Sequence, residues 1–334
     1  MLRRIPLHYL PLAVTGLVAL LLWAGCAARY PGFGTARVAV NLLGDNSFLG
    51  ILAVGMTFVI LGGGIDLSVG SLTALCSVTI ALILERTGAP PAVAIAASLA
   101  LGILFGLAAG CVIQVFETPP FIVTLAAMFL ARGLAFVLHA ESIPIRHAGY
   151  RALSQIALPL GPVALPITAI AFLAVVAAGV LVAGYTPFGR NVYAVGGNEE
   201  AARLMGLPVG RTKIAMYSLS GLCAGAAAVV FTCYQLSGNP AAGVGWELDA
   251  IAAVVIGGTL LTGGVGHVAG TLAGVLIFGI IQTAISFQGT LSSWWTKVVI
   301  GGLMLLFIFV QKLLSRLAST AAAAASEPGT GPPS

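Results

Sequence analysis

Ten apolar stretches follow one another along this chain, and they limit its fold more than any other feature. They run Tyr9–Ala27, Phe48–Leu61, Leu67–Leu84, Ala92–Phe116, Phe121–Leu138, Val163–Gly184, Ile214–Tyr234, Leu248–Leu261, Val268–Phe287 and Trp294–Leu314. A helix needs about 20 apolar residues to cross the hydrocarbon core of a bilayer. Most of the stretches come near that length, while the second and eighth fall short. Breaks between them are marked by residues that cannot continue a helix, as at Glu117-Thr118-Pro119-Pro120. Charge leads to the same place. Only 7% of the residues are charged and 59% are hydrophobic, whereas a soluble domain carries roughly a quarter charged residues. Lipid must cover what water cannot. The 43 glycines suit helices that pack backbone to backbone in lipid. The expected fold is all-α, a polytopic membrane protein of about ten helices. Residues 1–314 form its membrane-spanning domain, and the Ala-rich segment 315–334, ending in Pro332-Pro333-Ser334, forms a disordered tail.

Arg3 and Arg4 before the first apolar run imitate a signal peptide. Because many spans follow, the run is read as a retained first helix. With the N-terminus inside, ten crossings put the loop Thr186–Thr212 and the C-terminal tail inside as well. That side then holds eight basic residues (Arg3, Arg4, Arg190, Arg203, Arg211, Lys213, Lys312 and Arg316), against five outside (Arg29, Arg37, Arg86, Arg146 and Arg151). The bias has the sign of the positive-inside rule. A net charge of +5, spread thinly and without a basic run, points to membrane lipid and not to nucleic acid. Cys26, Cys76, Cys111, Cys223 and Cys233 lie in or beside apolar stretches with no Cys-x-x-Cys pair, so they read as small packing residues.

Three constellations could carry function. In Gly62-Gly63-Gly64-Ile65-Asp66-Leu67-Ser68, three glycines each forfeit about 1 kcal/mol of helix propensity relative to alanine, so a helix should break there. Gly63, Gly64, Asp66 and Ser68 then either line the solute path or form a helix cap near the membrane surface, with Asp66 placed to cap the next helix. Both readings stay open. The same pattern returns 200 residues later as Leu261-Thr262-Gly263-Gly264-Val265-Gly266-His267-Val268-Ala269-Gly270-Thr271-Leu272. Two interrupted helices at corresponding places would mark the substrate region of a two-fold repeat. Counting crossings makes the copies parallel, although many transporter repeats are inverted, and a chance alignment of two glycine-rich membrane segments stays open as the alternative.

Second, the segment Gly197-Asn198-Glu199-Glu200-Ala201-Ala202-Arg203-Leu204-Met205-Gly206 reads as one short helix. Asn198 is its N-cap, Glu199 and Glu200 sit in the first turn, Arg203 pairs with Glu199 and Gly206 ends it. Such a helix on the membrane surface suits docking into a groove of another protein. Third, Gly243–Asp249 carries Trp246, Glu247 and Asp249 on the outer side, where they read as an ordinary polar loop with a weaker case for touching a partner.

The chain has no phosphate-binding Gly-x-x-x-x-Gly-Lys-[Ser/Thr], no His-Glu-x-x-His and no Gly-x-Ser-x-Gly. His8, His139, His147 and His267 are scattered. No catalytic residue, metal or cofactor is therefore expected, and the chain reads as a transport subunit, not an enzyme.

Together, Gly63–Ser71, Tyr193–Ala202 and Ala253–Thr259 resemble the ribose-type permeases of bacterial ATP-binding-cassette sugar importers, from about Tyr30 to Leu314. Two further stretches, Glu141–Ile145 and Gly289–Lys297, are most similar to one of the two permeases of the galactofuranose importer. The resemblance implies a multi-pass protein of the bacterial inner membrane with cytoplasmic termini. It implies as partners a cytoplasmic ATP-binding subunit, a periplasmic sugar-binding protein and a second permease, identical or homologous. Asn198–Gly206 would be the coupling element against the ATPase, and the loops around Trp246 would face the binding protein. A rival expectation is a self-contained secondary carrier with Asp66 as its coupling group.

Overall fold

A computed structural model describes residues 10–290, 292, 294–307 and 309. The predicted tail at 315–334, Arg3 and Arg4 lie outside the described residues. In chain order the elements begin with α1 (Leu10–Arg29), α2 (Ala36–Asp45), α3 (Ser47–Leu61), α4 (Val69–Leu82, continued by a π turn, Ile83–Thr87), α5 (Pro91–Val115) and α6 (Pro120–Leu138). After β1 (Ile143–Pro144) come α7 (Ala148–Ser154), β2 (Ala157–Leu160), β3 (Val163–Pro166), α8 (Ile167–Tyr185), α9 (Pro187–Gly197), α10 (Glu199–Leu204) and α11 (Val209–Gln235). The chain continues through β4 (Ser237–Gly238), α12 (Trp246–Ile256), α13 (Val268–Gln288) and α14 (Trp294–Phe307).

Each predicted apolar stretch has a helix over most of its described residues, and residues 308 and 310–314 of the tenth lie outside them. Among the described residues, however, seven helices are long and apolar enough to cross a membrane, or eight if α2 and α3, bent by 57°, make one span. The difference from ten lies in α12 and in the tenth stretch, which is described only from Trp294 to Phe307 and at 309. At 1.5 Å per residue the 11 residues of α12 cover only about half a bilayer. The sixth stretch also starts differently. Its first four residues, Val163–Pro166, pair as a strand with Ala157–Leu160 before α8 begins at Ile167.

What holds the bundle together is small-residue packing. Gly102, Gly106 and Gly110 recur every four residues on α5 and form a flat stripe. Against it lie Gly221, Tyr217 and Ile214 of α11, so closely that a Cβ on any of the three glycines would overlap α11 backbone. Ser98 extends the stripe by one turn and donates to the Gly225 carbonyl at 2.9 Å. Without a hydrophobic drive between helices in lipid, this closeness supplies the dispersion energy that joins them. α3 is the centre of the bundle. All of its residues except Phe48 are buried.

The loops separate into two groups. Leu61–Gly64, Gly196–Gly197 and Gly263–Gly264 meet at one end, here called the glycine end. At the opposite end, β1 pairs with β4, and Glu85 accepts the Arg146 and His147 amides at 2.7 and 3.1 Å. There too Tyr30 Oη donates to Gln288 at 2.8 Å, and Tyr234 Oη to Asp45 at 3.0 Å. The two interrupted copies run in the same direction. Phe48 and Trp246, at the starts of α3 and α12, stack at 4.6 Å, while past their ends Gly264 N donates to the Leu61 carbonyl at 2.8 Å. α3 and α12, the helices before the two breaks, therefore lie parallel.

Candidate functional site

The short helix predicted at Asn198–Gly206 is present as α10, and its local signals are all satisfied. Asn198 Oδ1 accepts the Ala201 amide at 2.9 Å. Gly206 has φ +78, and the amides of Gly206 and Leu207 donate to Arg203 and Ala202, the reciprocal pair of bonds that closes a helix on a left-handed residue. Glu199 bonds Arg203 at 3.1 Å and also Lys213 at 2.6 Å, which ties α10 to the first turn of α11. Glu200 is exposed. Beyond the polar turn the helix ends in Leu204 and Met205, which are 84% and 70% exposed. Two large apolar side chains thus stand exposed side by side at the end of α10.

α10 is anchored to both helix breaks. α9 is capped by Thr186 Oγ1, which accepts the Gly189 amide at 3.1 Å, and it ends at Gly196-Gly197. A Cβ on Gly196 would overlap the Leu61 carbonyl and the Gly264 amide. A Cβ on Gly263 would lie 2.9 Å from both Gly196 O and Gly63 N, and one on Gly264 would lie 2.7 Å from the Gly197 Cα. Tyr193 Oη, one turn earlier, donates to the Gly266 carbonyl at 2.8 Å. Five glycines thus form a seam in which α9, the break after α3 and the break after α12 touch backbone to backbone. One residue, Asn198, separates this seam from α10.

Asp66 lies deeper, and the cap expected of it belongs to another residue. Ser68 occupies the N-cap position of α4. Asp66, two residues upstream, accepts the Ser68 amide at 2.9 Å and the Ser68 hydroxyl at 2.6 Å through Oδ1. Its Oδ2 accepts the Ser220 hydroxyl of α11 at 2.8 Å. The carboxyl group is 2% exposed, so it is enclosed in protein and does not line an open cavity of this chain. Gly64 and Ser68 are buried with it, and only Gly63 is exposed. The irregular backbone of 64–68 is thereby largely enclosed in protein, the condition on which such backbone survives at membrane depth.

Gly243–Asp249 is a correction to the sequence reading of a polar loop. Trp246, Glu247 and Asp249 form the first turn of α12. Both Asp249 oxygens bond Lys297 Nζ of α14 at 2.5 Å, and Trp246 is stacked on Phe48. Glu247 Oε1 accepts the Gly245 amide at 3.2 Å, while its Oε2 lies where a Cβ on Gly70 would be. Arg132 was missed altogether. It sits inside α6, and its Nη1 donates to the Pro240 and Ala242 carbonyls at 2.6 and 2.5 Å, holding the segment that leads into α12. The signal was available, since an arginine inside an apolar span is costly and marks a functional or structural anchor.

Residues 38–308 match the family described as branched-chain amino acid transport system / permease component. The chain belongs to this permease family. The permease is 50% identical over 309 residues to the inner membrane ABC transporter permease protein YjfF of Escherichia coli K12, covering 92% of this chain and 93% of that one. It is 41% identical to the ribose import permease protein RbsC of the same strain, over 88% and 92% of the two chains. It is 40% identical to the fructose import permease protein FruG of Bifidobacterium longum NCC 2705, over 81% and 82%. No solved structure matches the permease. These relatives are named as permeases, which agrees with a transport subunit carrying no reaction of its own.

Proposed function

We propose that this permease is the membrane-spanning subunit of an ATP-driven importer of a neutral monosaccharide and, more narrowly, of galactofuranose. Its relatives include ribose and fructose import permeases, and the stretches Glu141–Ile145 and Gly289–Lys297 carry the narrower match. In this reading α10 docks on a cytoplasmic ATPase through Leu204 and Met205, with Glu200 and Gly206 shaping the contact. The termini are cytoplasmic, and the opposite end receives a periplasmic binding protein near Trp246, Glu247 and Asp249. A second permease, identical or homologous, completes the pore. Gly63, Gly64, Asp66 and Ser68 shape the path between the ends and do not themselves grip the solute.

The single observation that carries this reading is the attachment of α10 to the glycine seam. Displacement of a docked α10 is felt at once by α9 and by both helix breaks, because glycine-to-glycine contact leaves no side chain to absorb it. The rival secondary carrier is the weaker reading. Asp66, its coupling group, has both oxygens engaged and no access to water.

The test is purification of the tagged permease from its own membranes in mild detergent, paired with uptake of labelled ribose, fructose and galactose, the last also as its furanose form. The wild type is expected to bring down an ATPase with phosphate-loop motifs, and Leu204→Glu/Met205→Glu to lose it while remaining folded. One sugar of the panel is expected to enter in a permease-dependent manner. An ATPase retained by the double variant would sink the docking role of α10.

A further inference from the structure

We propose that the cavity at the end opposite the glycine seam is a receiving site for a neutral monosaccharide within this chain. This rests on the importer reading above and adds a site to it. The cavity measures about 730 Å³ and lies between α2, the starts of α3 and α12, the second half of α13, and α14. That volume falls in the range of about 300–1,000 Å³ typical of small-molecule sites.

Its lining has two parts. The first is aromatic. Trp246 stacks on Phe48 at 4.6 Å and meets Phe231 edge-on at 5.3 Å, so the indole is held in place before any ligand arrives. Tyr234, Phe287 and Trp294 also face the cavity. Rigid aromatic rings offer flat apolar surface at a small entropic cost, and the C–H face of a sugar ring packs on such a surface. The second part is a set of neutral polar side chains. Asn41 and Gln282 are exposed, and the side chains of Asn41, Gln282 and Thr283 make no hydrogen bond among the described residues. Each amide offers both donors and an acceptor, which suits a ligand whose hydroxyls both give and take hydrogen bonds.

Charge narrows the ligand further. Asp249 is neutralised by Lys297, and Asp45 accepts the Tyr234 hydroxyl at 3.0 Å with one oxygen, which leaves the other as an acceptor. Among the described residues, the one cation in the lining is Lys297, and it is paired with Asp249. An aromatic wall, free amides, the paired Asp249–Lys297 and the acceptor oxygen of Asp45 together suit a neutral polyhydroxylated ring whose hydroxyls donate to Asp45. The position fits transport as well. α3 and α12 both run from this cavity to the glycine seam, so one pair of helices touches the arriving sugar at one end and the docking element at the other.

The experiment uses the permease–ATPase complex in lipid nanodiscs without binding protein, and equilibrium dialysis with the labelled sugar that the intact importer takes up. Saturable weak binding is expected, with quenching of tryptophan fluorescence. Asn41→Ala/Gln282→Ala is expected to weaken it by about tenfold or more. Both side chains are exposed and unbonded, so the double variant should keep its thermal midpoint. Absence of saturable binding by the wild type would overturn the proposal. So would a double variant that binds sugar normally and loses only stimulation by the binding protein, since the cavity would then be part of a protein-docking face. If no sugar of the panel is taken up, the importer reading fails; if one is taken up and does not bind here, the cavity alone fails.

Discussion

The two glycine-rich breaks share a skeleton and do different things with it. After α3 the chain turns at Gly63 (φ +79) and then runs without regular structure through 64–68 before α4 starts. After α12 it closes on itself, with Leu260 N donating to Val265 O at 2.9 Å and Gly263 N to Leu260 O at 3.0 Å. The aligned position of Asp66 is Gly266, where a Cβ would overlap the side chain of Thr259. In both copies the second glycine marks a close crossing, Gly70 against the Gly243 carbonyl and Gly270 against that of Gly257. Glycines make the break, and the one carboxylate decides its course. Asp66 gathers Ser68 and Ser220 and so staples the segment 64–68 to α11, whereas the second break has glycine at the aligned position and folds into a turn.

The most damaging substitution should be Asp66→Ala. It leaves the Ser68 amide and two hydroxyls without their acceptor, and an unsatisfied buried donor costs about 1–3 kcal/mol. A loss of about 4 kcal/mol is expected, read as a fall in the thermal midpoint through thiol-probe labelling of the buried Cys76, Cys223 and Cys233. Asp66→Asn keeps an acceptor for Ser68 and should recover most of it, with transport unaffected by ionophores. Asp66→Asn transport that lost a former ion dependence would restore the carrier reading.

Gly266→Ala should cost about 2 kcal/mol by the same assay, because strain at φ +151 adds to the overlap with Thr259. If it were silent, the two breaks would be more alike than their backbones indicate. Gly196→Ala should cost about 2 kcal/mol or more, because its Cβ would overlap the Leu61 backbone, and it pushes the two breaks and α9 apart together. Its mark should be uncoupling, with ATP hydrolysis continuing while uptake falls. Normal coupling in that variant would remove the seam from the mechanism. The smallest effect should come from Glu199→Gln. Its two ion pairs are partly exposed, and exposed pairs contribute roughly 0–1 kcal/mol. A slight loss of ATPase affinity with an unchanged midpoint would fit.

Local features were legible because their physics is local. The apolar stretches, the break at Gly62–Gly64 and the cap, salt bridge and Gly206 stop of α10 each depend on residues within a turn or two of one another, so the sequence by itself determined them. The length of α12 and the strand at Val163–Pro166 were less legible, since hydropathy does not distinguish half a span from a whole one. Only the tertiary structure decided that Asp66 would find Ser220, 154 residues away, that Arg132 would hold the approach to α12, and that Gly63, Gly196 and Gly264 would meet in one seam. The reason is that these contacts depend on which helices lie side by side. In lipid that choice is made by the fit of small-residue surfaces across the bundle, such as the stripes of α5 and α11, and no segment carries that fit alone.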